Sequence, residues 1–203
     1  FRRGQRVVGA QEGGKGAGNV AAEPGPGGVE GVAEAVEEVH HVGGGFDGGG
    51  LPGLIGVAGP DQDDTLELAL AYAHACGALK GGGFLSTFRE EAVSDQFGEQ
   101  AVLCGGLIEL VTVAWETLVA RGHSPEVAYF ECLHEVKLIV DLMHEHGIDG
   151  MRKRISTTAA WGGLQAGRRV IGEDSRRQMQ TLLDRIESGE FAREFIEVQQ
   201  GTQ

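Results

Sequence analysis

Two pairs of acidic residues are the strongest chemical signal in this 203-residue chain. Asp95 and Glu99 stand four apart, as do Glu131 and Glu135. On a helix, that spacing stacks both carboxylates on one face, one turn apart, where like charges repel unless a cation intervenes. Oxygen donors select a hard ion. Mg²⁺ characteristically takes one or two carboxylates and keeps waters and substrate oxygens in its remaining positions. Four carboxylates from two helices have the donors for two such ions, which would polarise a carbonyl or alkoxide between them. The alternative is a solvated acidic face, since the chain holds 30 acids and such pairs arise by chance. Glu131 and Glu135 argue harder for function, because they interrupt an apolar run, Ala128-Tyr129-Phe130 to Leu138-Ile139-Val140. An acid among core-type residues is costly without a partner.

Other candidates are weaker. Glu131-Cys132-Leu133-His134 has the Glu-x-x-His spacing of carboxylate di-iron bundles, but no second copy exists on another helix. His134 therefore reads as a packed core histidine. His144 and His146 fall at a helix C-terminus, where imidazolium meets the dipole favourably; zinc ligation with Asp141 is the competing reading. Cys76, Cys104 and Cys132 lack metal spacing and read as small apolar residues in a reducing compartment. Gly13-Gly14-Lys15-Gly16-Ala17-Gly18 suggests a phosphate loop, but Lys15 has no Ser or Thr after it and no strand before it.

The elements that must position these residues begin at Leu51. Residues 1–50 hold 16 of the 35 glycines and no Leu, Ile, Ser, Thr or Cys. Such a segment cannot build a core and reads as low-complexity chain, with one short helical piece at 29–39. Its composition also fits GC-rich DNA translated out of frame, and Phe1 in place of Met fits a fragment of a longer protein.

Leu51–Val57 reads as a strand or extended connector. A helix follows over 66–75 and ends at Gly77, then a flexible Gly81-Gly82-Gly83 joint and a mixed stretch from Ser86 to Gly98. A long apolar helix is predicted over 99–120. The next has the best local signals: Ser124 as N-cap, Pro125 at the first position and Glu126 in the first turn. It is expected to run to about Glu145. A polar loop around Ile155–Thr158 precedes helices over 174–188 and 191–198, leaving 199–203 as a tail. The folded part is read as all-α. With a net charge of −13, a sequence-blind nucleic-acid surface is excluded. Glu109 interrupts the longest apolar run, so no membrane span and no membrane partner are expected.

Taken together, these segments resemble the C-terminal helical domain of ketol-acid reductoisomerases. The residues that carry the resemblance are Asp95-Gln96-Phe97-Gly98-Glu99 through Gly106, Pro125 through Leu142, Ile155-Ser156-Thr157-Thr158-Ala159 and Gly189 through Phe195, in the family's order. It covers nearly all of 51–198 and none of 1–50. The resemblance implies a knotted all-α domain whose two copies interlock, so that one site draws on both chains of a homodimer or larger homo-oligomer. It also implies two Mg²⁺ and NADPH. The reaction would be alkyl migration and reduction of 2-acetolactate or 2-aceto-2-hydroxybutyrate, on the way to valine, isoleucine and leucine.

Carried over by motif, Asp95 bridges the two ions and Glu99 binds one. Glu131 and Glu135 complete the metal and substrate site, and Ser156 hydrogen-bonds the substrate. The implied location is the cytoplasm, or an organelle stroma in a plant or fungus. The chain departs from the family at Ala160 and Trp161, where acidic and Tyr residues are usual. Residues 1–50 supply no strand–helix unit for the glycine-rich nucleotide fingerprint, so the isolated chain is expected to be inactive. The alternative function is a non-enzymatic helical dimerisation module.

Overall fold

The computed structural model describes Val7–Val8, 52–58 and 62–201. The phosphate-loop-like run and the short helix at 29–39 fall outside the described residues. The chain divides into two compact units. One holds Phe1–Glu91 with His144–Asp149, the other Ala92–Met143 with Gly150–Gln203.

In the first unit a small sheet has the order β1-β3-β2, with β1 at Val7–Val8, β2 at Gly53–Gly56 and β3 at Gly83–Ser86. β2 and β3 are parallel, pairing Gly53 with Gly83 and Ile55 with Leu85. Their crossover is helix α1, Gln62–Ala75, since parallel neighbours cannot be joined by a tight turn. β1 pairs antiparallel to β3 through Val7 and Phe84. Gly83 thus belongs to a strand rather than to the expected flexible joint. Leu79, buried at the end of the α1 turn, lies so close that a Cβ on Gly83 would meet its Cδ2 at 2.7 Å.

The helical expectation holds for the rest of the chain. Helix α2, Phe88–Gly98, replaces the mixed stretch read from sequence. Thr87 starts it: its Oγ1 accepts the Glu90 amide at 3.0 Å. The expected single helix over 99–120 is instead a π-helical turn, Glu99–Leu103, followed by α3, Gly106–Ala120. Helix α4, Pro125–Tyr129, starts as its sequence signals require, with Ser124 Oγ accepting the Val127 amide at 3.2 Å. A second π-helical turn, Phe130–His134, leads into α5, Glu135–Arg152. Gly147, with φ of 67°, breaks α5 close to where a helix end was expected. Helix α6, Thr157–Val170, occupies what read as polar loop; α7, Glu173–Glu187, and α8, Glu190–Gly201, complete the chain.

In the second unit α3 packs on α4 and on the second π turn, and α7 packs on α8. The Trp115 indole N–H on α3 donates to the Pro125 carbonyl at 3.0 Å, tying α3 to the start of α4. Ala128 on α4 is fully buried. Arg185 on α7 bridges to both Glu190 and Glu194 on α8.

Few apolar side chains are covered. Among the described residues Ala73, Leu79, Ala128 and Ile186 are buried, while Ile108 is 57% and Val113 55% exposed on α3. The helical stretch Phe88–Ala120 is long and apolar enough, by length and composition, to cross a membrane, despite Glu109. That corrects the expectation of no candidate span. A helix that packs against protein on several sides has the same composition.

Candidate functional site

All five residues singled out by sequence lie in the second unit, and four of them cluster at the two π turns. Asp95 is on the last turns of α2, and Glu99 opens the first π turn. Gly98 between them keeps right-handed helical angles, φ −59° and ψ −45°, so the pair shares one face as the spacing predicts. Glu131 lies inside the second π turn and Glu135 directly follows it. Asp95, Glu99 and Glu131 are exposed, and Glu135 is half-buried.

π-helical turns are rare and concentrate where a helix must present functional groups. Both turns here are closed by backbone bonds that involve the acidic residues themselves. The Glu99 carbonyl accepts from the Cys104 amide at 2.7 Å and also from Gly105 at 3.2 Å. In the second turn the Glu135 amide donates to the Phe130 carbonyl, five residues back.

The first turn is possible because of Gly105 and Gly106. A Cβ on Gly105 would stand 2.1 Å from the Gln100 carbonyl oxygen, and one on Gly106 2.0 Å from that of Ala101. No side chain fits there. The second turn carries a ring pair instead: Phe130 and His134 stack with centroids 5.0 Å apart and planes 20° apart. His134 is exposed and not the packed core residue expected from sequence. The cysteines differ likewise: Cys76 and Cys104 are exposed and Cys132 is half-buried.

Among the described residues, none of the four carboxylates has a hydrogen-bond or ion-pair partner. Acids elsewhere do. Asp141 pairs with Lys137, Asp174 with Arg177, and Glu190 and Glu194 with Arg185. The two Glu194 and Glu190 contacts hold the Arg185 guanidinium above its usual range, the Glu194 hydrogen bond contributing most. No three His, Cys, Asp or Glu side chains among the described residues converge as a metal cluster. The two carboxylate pairs therefore stand apart within one protomer. His144 and His146 do not form the zinc group weighed from sequence; His146 Nε2 lies 3.6 Å from Glu145.

Ser156 caps α6. Its Oγ accepts the Ala159 amide at 3.1 Å, which leaves the hydroxyl hydrogen able to donate elsewhere. Trp161, one of the two departures from the family pattern, is 67% exposed on the first turns of the same helix.

Residues 88–203, which include the four carboxylates and Ser156, match the family model for the ketol-acid reductoisomerase C-terminal domain. The chain belongs to the ketol-acid reductoisomerase family. A solved structure it resembles is an NADH-preferring ketol-acid reductoisomerase from an uncultured archaeon, with 44% sequence identity and a TM-score of 0.68. The alignment covers 73% of this chain and 45% of that one, so the chain spans less than half the length of this reductoisomerase.

The π turns are what sequence reasoning missed at this site. One signal was present: the adjacent glycines Gly105 and Gly106 inside an otherwise apolar helical pattern, where each costs stability unless the backbone requires it.

Proposed function

We propose that this chain supplies the metal- and substrate-binding half of a ketol-acid reductoisomerase, with Asp95, Glu99, Glu131 and Glu135 as the Mg²⁺ ligands. The observation that carries this reading is the placement of two carboxylate pairs at two π turns, with no ion-pair partner on any of the four among the described residues. The residues present fit the ion. They are hard oxygen donors, two to a helix, with solvent access for the waters that Mg²⁺ retains. When bound, two Mg²⁺ polarise the ketone and hydroxyl oxygens of a 2-aceto-2-hydroxy acid, favouring alkyl migration and then hydride transfer.

The chain's own residues bind and orient. Asp95 and Glu99 present two carboxylates on one face. Glu131 and Glu135 present a second pair, with Glu135 half-buried and so the more constrained of the two. Ser156, already held by its bond to Ala159, directs its hydroxyl hydrogen at a substrate oxygen. Because the pairs stand apart in one protomer, a second copy completes the site, its Glu131 and Glu135 facing the first copy's Asp95 and Glu99. The exposed apolar residues on α3 supply the surface for that association. The hydride donor is a nicotinamide dinucleotide; the solved relative is NADH-preferring, which leaves no reason to restrict it to NADPH. The substrates are 2-acetolactate and 2-aceto-2-hydroxybutyrate, and the setting is the cytoplasm or an organelle stroma, without nucleic-acid or membrane partners.

Sedimentation and Mg²⁺ calorimetry on the 203-residue chain test this together. The expected result is a dimer that binds Mg²⁺ and loses that binding in Asp95→Asn, without oxidising NADPH or NADH when 2-acetolactate is added. A dimer indifferent to Mg²⁺ would leave a dimerisation module with unused carboxylates. Mg²⁺-dependent coenzyme oxidation would show that this chain is sufficient for turnover.

A further inference from the structure

We infer that divalent cations gate the association of two copies of this chain, because the surface through which the copies meet is both apolar and strongly acidic. The inference rests on the reading of Asp95, Glu99, Glu131 and Glu135 as Mg²⁺ ligands whose site a second copy completes. Residues 92–136 hold seven acids against Arg121 alone. None of the seven has an ion-pair partner among the described residues. From Lys137 onward the pattern changes. Asp141 pairs with Lys137, Glu173 with Arg176, Asp174 with Arg177, and Glu190 and Glu194 with Arg185. The stretch 92–136 is instead left with negative charge that the chain's own bases do not compensate.

That same stretch leaves Leu103, Ile108, Val113, Val127 and Tyr129 exposed. Exposed apolar surface of this kind favours association. Like charges brought together oppose it, and more strongly where a closing contact excludes water and salt. Each copy brings seven acids and one arginine to the meeting, so attraction and repulsion are set against each other on one surface. A divalent ion held by carboxylates of both copies removes the repulsion and adds bonds across the contact. Within one protomer no three His, Cys, Asp or Glu side chains converge among the described residues, so a single copy offers the ion fewer ligands than a pair does. Ion binding and association therefore strengthen each other, and by the same factor.

Sedimentation of the 203-residue chain over a dilution series, in EDTA and in MgCl₂ at one ionic strength set with NaCl, tests this. With free Mg²⁺ at ten times its own Kd, the dimer Kd is expected to tighten about tenfold for each ion taken up on association. The double variant Asp95→Asn, Glu131→Gln should dimerise about twofold more tightly than the parent in EDTA, because repulsion is relieved. It should then gain nothing from Mg²⁺. A variant that had merely lost structure would associate less well in both buffers. A parent dimer equally tight in EDTA and Mg²⁺, or a parent monomeric in both, overturns the inference. So does an equal tightening when NaCl alone is raised, since that is general screening. Calorimetry on the same samples separates the two readings. Mg²⁺ bound without any change in dimer Kd leaves the ligands in place and removes the gate; no Mg²⁺ bound by the parent removes both.

Discussion

The amide of Glu135 donates to the carbonyl of Phe130, five residues back, so the residue proposed as a metal ligand also closes the π turn on which it stands. Glu99 does the same at the other turn from the carbonyl side, accepting from Cys104 and Gly105. At both pairs a proposed ligand residue is also part of the backbone bond that closes the turn.

That coupling makes Gly105 a sensitive position. An added methyl would meet the Gln100 carbonyl oxygen at 2.1 Å, and the only relief is to rearrange the turn. Gly105→Ala is expected to destabilise by about 1–3 kcal/mol in urea unfolding, the cost of a strained backbone position that cannot relax. Gly163→Ala is the control. It lies inside α6 with nothing within 4 Å of an added Cβ, so it should stabilise by about 0.5–1 kcal/mol through lost freedom in the unfolded chain.

What was legible in the sequence was local. Ser124, Pro125 and Glu126 announced a helix start because capping depends on neighbouring residues alone, and the hydrogen bond from Val127 is the one expected. The acidic pairs were legible for the same reason. Helix α6 was missed because Gly162, Gly163 and Gly167 weaken its pattern and Ser156 was read as substrate-facing rather than also as its cap. The π turns were missed because a one-residue insertion leaves average periodicity almost unchanged. The exposure of Ile108 and Val113 could not be read either: a stripe of apolar side chains is the same in sequence whether its own chain or another covers it.

Neutralising one member of a carboxylate pair should have opposite effects with and without metal. In metal-free buffer Glu131→Gln removes repulsion against Glu135, worth about 0.2–0.5 kcal/mol at this spacing. The variant should melt slightly higher than the parent. With millimolar Mg²⁺ the parent should gain stability by mass action and the variant should not, so the order of melting temperatures reverses. Thermal scans with and without EDTA check it; an order that does not change argues against a cation between these residues.

Arg185 ties α7 to α8 through Glu190 and Glu194. Arg185→Gln should lower the melting temperature, and the difference should shrink as salt rises, since these groups are open to screening. Its raised pKa contributes stability that is complete below the unfolded value and is lost only as pH climbs through the folded one. The difference between parent and variant should therefore be flat from about pH 7 to pH 10, far below where a guanidinium titrates.

The helix-capping role of Ser156 and the substrate contact proposed for it can be separated by substitution. The oxygen accepts the Ala159 amide and starts α6; the hydrogen remains able to donate. Ser156→Ala removes both and should cost about 1 kcal/mol, the usual value of an N-cap. Ser156→Asp restores the acceptor, and the charge suits a helix N-terminus, so stability should return to the parent's level or exceed it. An ionised carboxylate cannot donate, and it repels an anionic 2-hydroxy acid. Saturation-transfer NMR with 2-acetolactate and Mg²⁺ should therefore show binding to the parent, and neither Ser156→Ala nor Ser156→Asp should match it. If Ser156→Asp binds as well as the parent, the serine is a helix cap and nothing more.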